Sequence, residues 1–214
     1  MVNRDDPSRG ERVRPGPSRS LTLDEITGAA VRVADVGGLS AATMRSIAAE
    51  VGVSAPALYR YVASRDELIG HMVDRMSAQL PDPAPTGDWI ADLTAAARRQ
   101  LVTFSTHPWL VEAVGSLRYL GPHVLDHLDW GLSVLGRVDA PDRDKLEAIA
   151  LTNGAAALFA ASGRPAGPQT LTGLDPQRHR WLTAAVSAQP AAQAADDLFD
   201  RVLAGILHGV LGTR

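Results

Sequence analysis

Thr43–Arg65 reads TMRSIAAEVGVSAPALYRYVASR, two short helical patterns separated by a glycine. Thr43 stands one residue ahead of an apolar repeat, Ile47, Ala48 and Val51, where a side-chain oxygen closes the first orphan N–H groups of a helix. Gly52 follows where a left-handed residue is wanted. Val53 plugs the turn and Ser54 occupies a second N-cap. Pro56 is tolerated in a first helical turn, and Leu58 with Val62 face inward. Two helices crossing at a small residue, Ala48, and joined by a tight turn make a helix-turn-helix, whose second helix enters the DNA major groove. The motif spans about 43–62.

The flanks frame this stretch. Thr22-Leu23-Asp24-Glu25 has the form of a capping box, and Ile26, Ala29, Ala30, Val33 and Ala34 repeat at helical spacing until Gly37-Gly38 stops them. Ser64-Arg65-Asp66-Glu67 repeats the capping signal and opens a fourth helix over 65–80, with Leu68, Ile69, Met72, Val73, Met76 and Leu80 along one side. Residues 21–80 are thus expected to form one helical domain. Residues 1–20 hold five arginines, three acids and little apolar surface, the composition of a disordered tail whose basic residues can reach DNA phosphates.

Pro81, Pro83 and Pro85 make a stiff linker over 81–87, and Asp88 caps a long helix that starts a second domain, 88–214. Helical patterns continue over 123–138, 142–162, 177–188 and 192–211, with a Gly/Pro-rich loop between 163 and 176. The fold class is all-α. Aromatics are 5% of the 214 residues and alternating β-type runs are missing. The absence of cysteine excludes disulfides and thiolate metal sites. No apolar run approaches a membrane span, and a soluble, cytoplasmic protein is expected.

Charge argues against a broad nucleic-acid surface. The chain carries −3 overall, and residues 21–80 set five arginines against seven acids, a balance of −2. Within Thr43–Arg65, however, three arginines face only Glu50. Arg60 is the best candidate for a base edge because its fork matches guanine O6 and N7. Thr43, Ser54, Tyr59 and Tyr61 offer hydroxyls to phosphates, and Arg65 opens a helix whose N–H groups favour an anion.

GVSAPAL followed by YRYVASRDELI resembles the N-terminal signature of the tetracycline-repressor (TetR) family of bacterial regulators. The region from Trp89 onward, with HPWL at 107–110 and LGP at 120–122, is similar to the C-terminal domain of the tetracycline-repressor-like branch. By position, the resemblance implies DNA contacts from Thr43, Arg45, Ser54, Ala55, Pro56, Ala57, Tyr59, Arg60, Tyr61 and Arg65. Ala55 and Ala57 are small where a polar base reader can stand, so base specificity is expected to fall on Arg45 and Arg60. The resemblance further implies a repressor that binds a palindromic operator in double-stranded DNA as a homodimer and is released by a small-molecule effector. It implies no cofactor, no metal and no catalytic residue.

In the second domain, Phe104, Trp109, Tyr119, Trp130, Phe159 and Trp181, with His123 and His127, are candidates for an apolar effector cavity. Glycines four apart, Gly205 and Gly209, with Val202 beside them, and the small residues Ala156 and Ala160 allow close helix approach across a four-helix dimer interface. The alternative of a different class is a helical metal-dependent enzyme built on His123 and His127, which lie one turn apart. No nucleophile elbow, phosphate loop or HExxH motif accompanies them.

Overall fold

The computed structural model describes residues 21–163, 174–187 and 194–212; the N-terminal tail and most of the Gly/Pro-rich loop lie outside the described residues. The described chain is all-helical: α1 (Leu23–Gly37), a 3₁₀ turn (Leu39–Ala41), α2 (Met44–Glu50), α3 (Ala55–Leu58), α4 (Arg65–Ser77), α5 (Trp89–Thr106), α6 (Trp109–Gly115), α7 (Pro122–Val134), α8 (Asp142–Ser162), α9 (Arg180–Ser187) and α10 (Ala194–Leu211).

The first four helices form a head around a small core. Ile26, Ile47, Leu58, Val62, Leu68 and Met72 are almost completely buried in it. Its local chemistry follows the sequence closely. The Thr22 hydroxyl accepts from the Glu25 N–H while the Glu25 carboxylate accepts from the Thr22 N–H, closing both ends of the capping box. Thr43 and Ser46 exchange the same pair of bonds at the start of α2. Gly52 holds φ of 73° in the turn. At α4 the Ser64 hydroxyl accepts from Glu67 N–H, but the Glu67 carboxylate reaches one residue further back, to the Ala63 N–H.

Several details differ from expectation, among them α7, which ends at Val134 rather than Val138 as the Gly136 and Val138 N–H groups turn to oxygens three residues back. The second motif helix is a single turn, Ala55–Leu58, followed by tighter bonds from the Arg60 and Tyr61 N–H groups to Ala57 and Leu58 oxygens. Ser54 has the extended N-cap backbone, yet its hydroxyl makes no capping bond. Helix α4 stops at Ser77 rather than Leu80, because the Gln79 and Leu80 N–H groups turn to oxygens three residues back ahead of Pro81.

The body packs α5 against α8 and α8 against α10. Leu93, Leu135, Ile149, Leu203 and Leu207 fill its core at 1% exposure or less. Head and body are joined by more than the linker. Gly70 on α4 lets the Tyr119 ring lie where a Cβ would stand, 2.5 Å from its Cδ1, and Gly121 gives the same room to Asp74. Among the described residues no helix is long and apolar enough to cross a membrane.

Candidate nucleic-acid interface and effector cavity

Most of the head's arginines are bonded to other groups of the head, largely at its surface. Arg32 is bonded to Glu50, its Nε 3.1 Å from Oε1, and Arg75 pairs with Asp24. Arg65 donates from Nε to the Ala42 oxygen at 2.9 Å and from Nη2 to the Leu39 oxygen at 2.6 Å. Its guanidinium therefore fastens α4 to the 3₁₀ turn, with two of its nitrogens committed to backbone oxygens. Among the described residues, Arg45 and Arg60 are exposed and carry no ion pair. Tyr59 and Tyr61 are exposed beside Arg60. Ser54 and Pro56 are exposed, Ala55 and Ala57 half-buried, and Thr43 is exposed with its hydroxyl engaged by Ser46. The negative balance of the head is unevenly placed: Glu50 and Asp24 each face an arginine, and Asp35 and Asp74 are bonded to residues of the body.

Those last two carboxylates form clasps. Asp35, on α1, accepts from the Trp109 indole Nε1 at 2.7 Å and pairs with His107 Nδ1 at 2.6 Å. Asp74, on α4 and 8% exposed, accepts from the His123 and Val124 N–H groups at 2.8 and 3.1 Å and pairs with His123 Nδ1 at 2.9 Å. A carboxylate of the head thereby caps the N-terminus of a body helix, where the helix dipole favours negative charge.

Directly behind that clasp lies a cavity of about 660 Å³, a size that holds a drug-sized ligand. Its wall is shared by α4, the linker and α5 to α8, through Val73, Met76, Leu80, Asp82, Arg99, Gln100, Phe104, Leu110, His123, His127, Trp130 and Asn153, among others. Of the eight expected cavity residues, Phe104, His123, His127 and Trp130 line it. The other four do not. Trp109 is buried at the Asp35 clasp, and Tyr119 packs on Gly70 with its ring centroid 4.8 Å from that of His71. Phe159 meets Phe199 edge-on at 5.0 Å, and Trp181 is 76% exposed with Arg180 over its ring. Arg99, Gln100 and Asn153, on helices, and Asp82, in the linker, were missed, because a polar residue carries no local signal that a cavity lies beside it.

His123 and His127 do not converge on a common point. His123 turns to Asp74, whereas His127 sends Nδ1 to Asp82 at 2.7 Å and Nε2 to Gln100 at 3.0 Å. Among the described residues no group of three or more metal-ligating side chains forms.

Residues 26–72 match the model of bacterial regulatory proteins of the tetR family, and residues 80–214 match the tetracyclin repressor-like C-terminal domain. The chain belongs to the tetR family of bacterial regulatory proteins. The tetR-family chain is 38% identical over 147 residues to the HTH-type transcriptional repressor DrrR1 of Streptomyces coeruleorubidus, covering 68% of this chain and 54% of that protein. It is 26% identical over 139 residues to an HTH-type transcriptional regulator of Saccharopolyspora erythraea, covering 62% and 57%. The chain thus spans little more than half the length of these curated relatives. In fold it is similar to the Streptomyces coelicolor TetR family protein ActR in complex with (S)-DNPA, with a TM-score of 0.75, 23% identity and coverage of 90% and 100%. The actinorhodin complex of ActR superposes with a TM-score of 0.74 at 22% identity, covering 91% and 98%.

The outer faces of the last helices correct one further expectation. Ala156 and Ala160 are buried within the chain, at 0% and 4% exposure, and cannot meet a partner. Among the residues that α8 exposes are Leu146, Leu151, Gly154 and Leu158, and among those of α10 are Leu198, Val202, Gly205 and Gly209. A Cβ at Gly154, Gly205 or Gly209 meets nothing within 4 Å.

Proposed function

We propose that this protein is a ligand-responsive DNA-binding transcriptional regulator, a repressor that a small molecule releases from a palindromic operator. One observation carries the reading: the cavity is walled by α4, the helix that closes the head, so a molecule entering it presses on the element that positions Arg45 and Arg60. Arg45 and Arg60 read bases. Ser54, Tyr59, Tyr61 and the backbone N–H groups around Ala55–Ala57 hold phosphates, with Thr43 shaping the entry to α2. The 38% identity to a protein named as a repressor favours repression over activation, and ActR, of the same fold, is known bound to a small molecule.

Two copies pair through the exposed stripes of α8 and α10. Leucines at 151, 158 and 198 supply apolar area, and the glycines admit close approach. Two-fold pairing sets the recognition helices ~34 Å apart, one turn of DNA. The effector shifts that spacing through the Asp74 and Asp35 clasps; a coupling of ~1–3 kcal/mol gives a response of roughly 5- to 150-fold. The working place is the bacterial cytoplasm, and no cofactor or catalysis is involved.

A gel shift on the DNA upstream of the protein's own coding region tests the reading. The wild type is expected to bind a palindromic segment at low salt as a dimer, with Arg60→Ala and Tyr59→Ala weaker. Failure of the wild type to retard any such DNA, or equal binding by both variants, overturns it.

A further inference from the structure

Arg65 opens α4, but its side chain serves a different part of the head. Nε donates to the Ala42 oxygen at 2.9 Å and Nη2 to the Leu39 oxygen at 2.6 Å. Both acceptors belong to buried residues, Leu39 at 3% and Ala42 at 1% exposure. The Leu39 oxygen also takes the Ala42 N–H at 3.2 Å, whereas among the described residues no backbone N–H reaches the Ala42 oxygen. Arg65 is what satisfies that oxygen, and its loss leaves a buried acceptor unpaired.

Ala42 stands directly before Thr43, the N-cap of α2. The Ala41 oxygen ties the same stretch to the helix, accepting from the Thr43 N–H at 2.8 Å and the Ser46 hydroxyl at 2.6 Å. Whatever holds residues 39–42 therefore sets where α2 begins, and Arg45 is the second residue of that helix. α2 packs on α1 and α3, whereas α4 packs on α1, α6 and α7. The Arg65 side chain thus bridges from the helix that walls the cavity to the helix that carries Arg45.

The residue type suits this task. A planar guanidinium presents Nε–H and Nη2–H side by side, so one side chain serves two carbonyl oxygens. A lysine ammonium is a point charge on a flexible stem and lacks that fork. Arg65 is half-buried with both of those donors spent inside the head, while Arg45 and Arg60 are exposed.

We propose that Arg65 is a positioning residue for DNA binding: it fixes the start of α2, and with it the aim of Arg45, relative to α4, and it is not a phosphate contact. This inference rests on the regulator reading and adds a route by which α4 acts on the DNA-reading surface.

Arg65→Lys keeps the charge and removes the two-pronged bond, which separates the two roles. Anisotropy of the full chain on its labelled upstream DNA, over a range of salt, is expected to show Arg65→Lys about tenfold weaker than wild type throughout. Arg65→Ala should be no more than about threefold weaker still, with a salt slope within about half a unit of wild type. In an Arg45→Ala background the Arg65→Lys change is expected to cost less than about threefold, because its effect passes through Arg45. In the DNA-free chain, hydrogen exchange of the α2 amides is expected to run about tenfold faster in Arg65→Lys, with α5 unchanged. Wild-type affinity in Arg65→Lys overturns the proposal, as does a slope shallower by about one unit in Arg65→Ala, the mark of a lost phosphate contact. A full tenfold loss in the Arg45→Ala background, or unchanged exchange at α2, overturns it equally. If the wild type binds no DNA, the regulator reading falls and this proposal with it; the other adverse results, with the wild type bound, remove this proposal alone.

Discussion

The head and the body of this protein treat their polar groups in opposite ways. In the head, Arg32, Arg65 and Arg75 and the carboxylates of Asp24, Glu25 and Glu50 are bonded within the head, and only Arg45 and Arg60 stand free among its arginines. In the body, Arg99, Gln100 and Asn153 stand beside the cavity and each keeps a buried polar atom unpaired. A surface that must read DNA benefits from few free charges in fixed positions. The difference teaches that net charge was the wrong quantity for the head and aromatic content the wrong one for the cavity.

The comparison can be broken most severely at the head core. Leu58, fully buried on the one-turn α3, holds the recognition segment; Leu58→Ala is expected to cost ~2–5 kcal/mol in calorimetry and to abolish specific DNA binding. Unchanged DNA binding would show that the segment is positioned by something other than this side chain. At the seam between the regions, Asp74→Ala strands two N–H groups of α7 and is expected to cost ~1–3 kcal/mol by denaturant titration. Asp74→Asn keeps an accepting oxygen and should recover most of that loss; equal losses would deny the capping role. The smallest effect belongs to the turn. Gly52 has φ of 73° with open space around its missing Cβ, so Gly52→Ala is expected to cost only ~1 kcal/mol, entirely conformational.

The head was legible because its signals are local. Thr22, Thr43 and Ser64 cap helices within three residues of themselves, and Gly52 needs only its own backbone. The exception is Arg65, whose partners lie 23 and 26 residues away and which sequence order cannot associate with it. In the body almost every decisive contact is of that distant kind. Asp74 meets His123 across 49 residues, and Asp82 meets His127 across 45. The α8 helix was placed to the residue, yet Ala156 and Ala160 were assigned to its outer face because a helix so rich in small residues has little amphipathic contrast. Trp109 is buried and Phe159 partly buried, but burial in a core and burial on a cavity wall share one sequence signature.

The distinction between free and paired arginines is open to one direct measurement, fluorescence anisotropy with a labelled fragment of the protein's own upstream DNA. The Arg45→Ala/Arg60→Ala double variant is expected to lose about 30-fold or more in affinity, two base-reading contacts of ~1–3 kcal/mol each. Arg32→Ala removes one positive charge, from a side chain held by Glu50, and affinity should fall by less than about threefold. If Arg32→Ala weakens binding as much as the double variant, or the double variant binds like wild type, the assignment of DNA recognition to Arg45 and Arg60 is wrong.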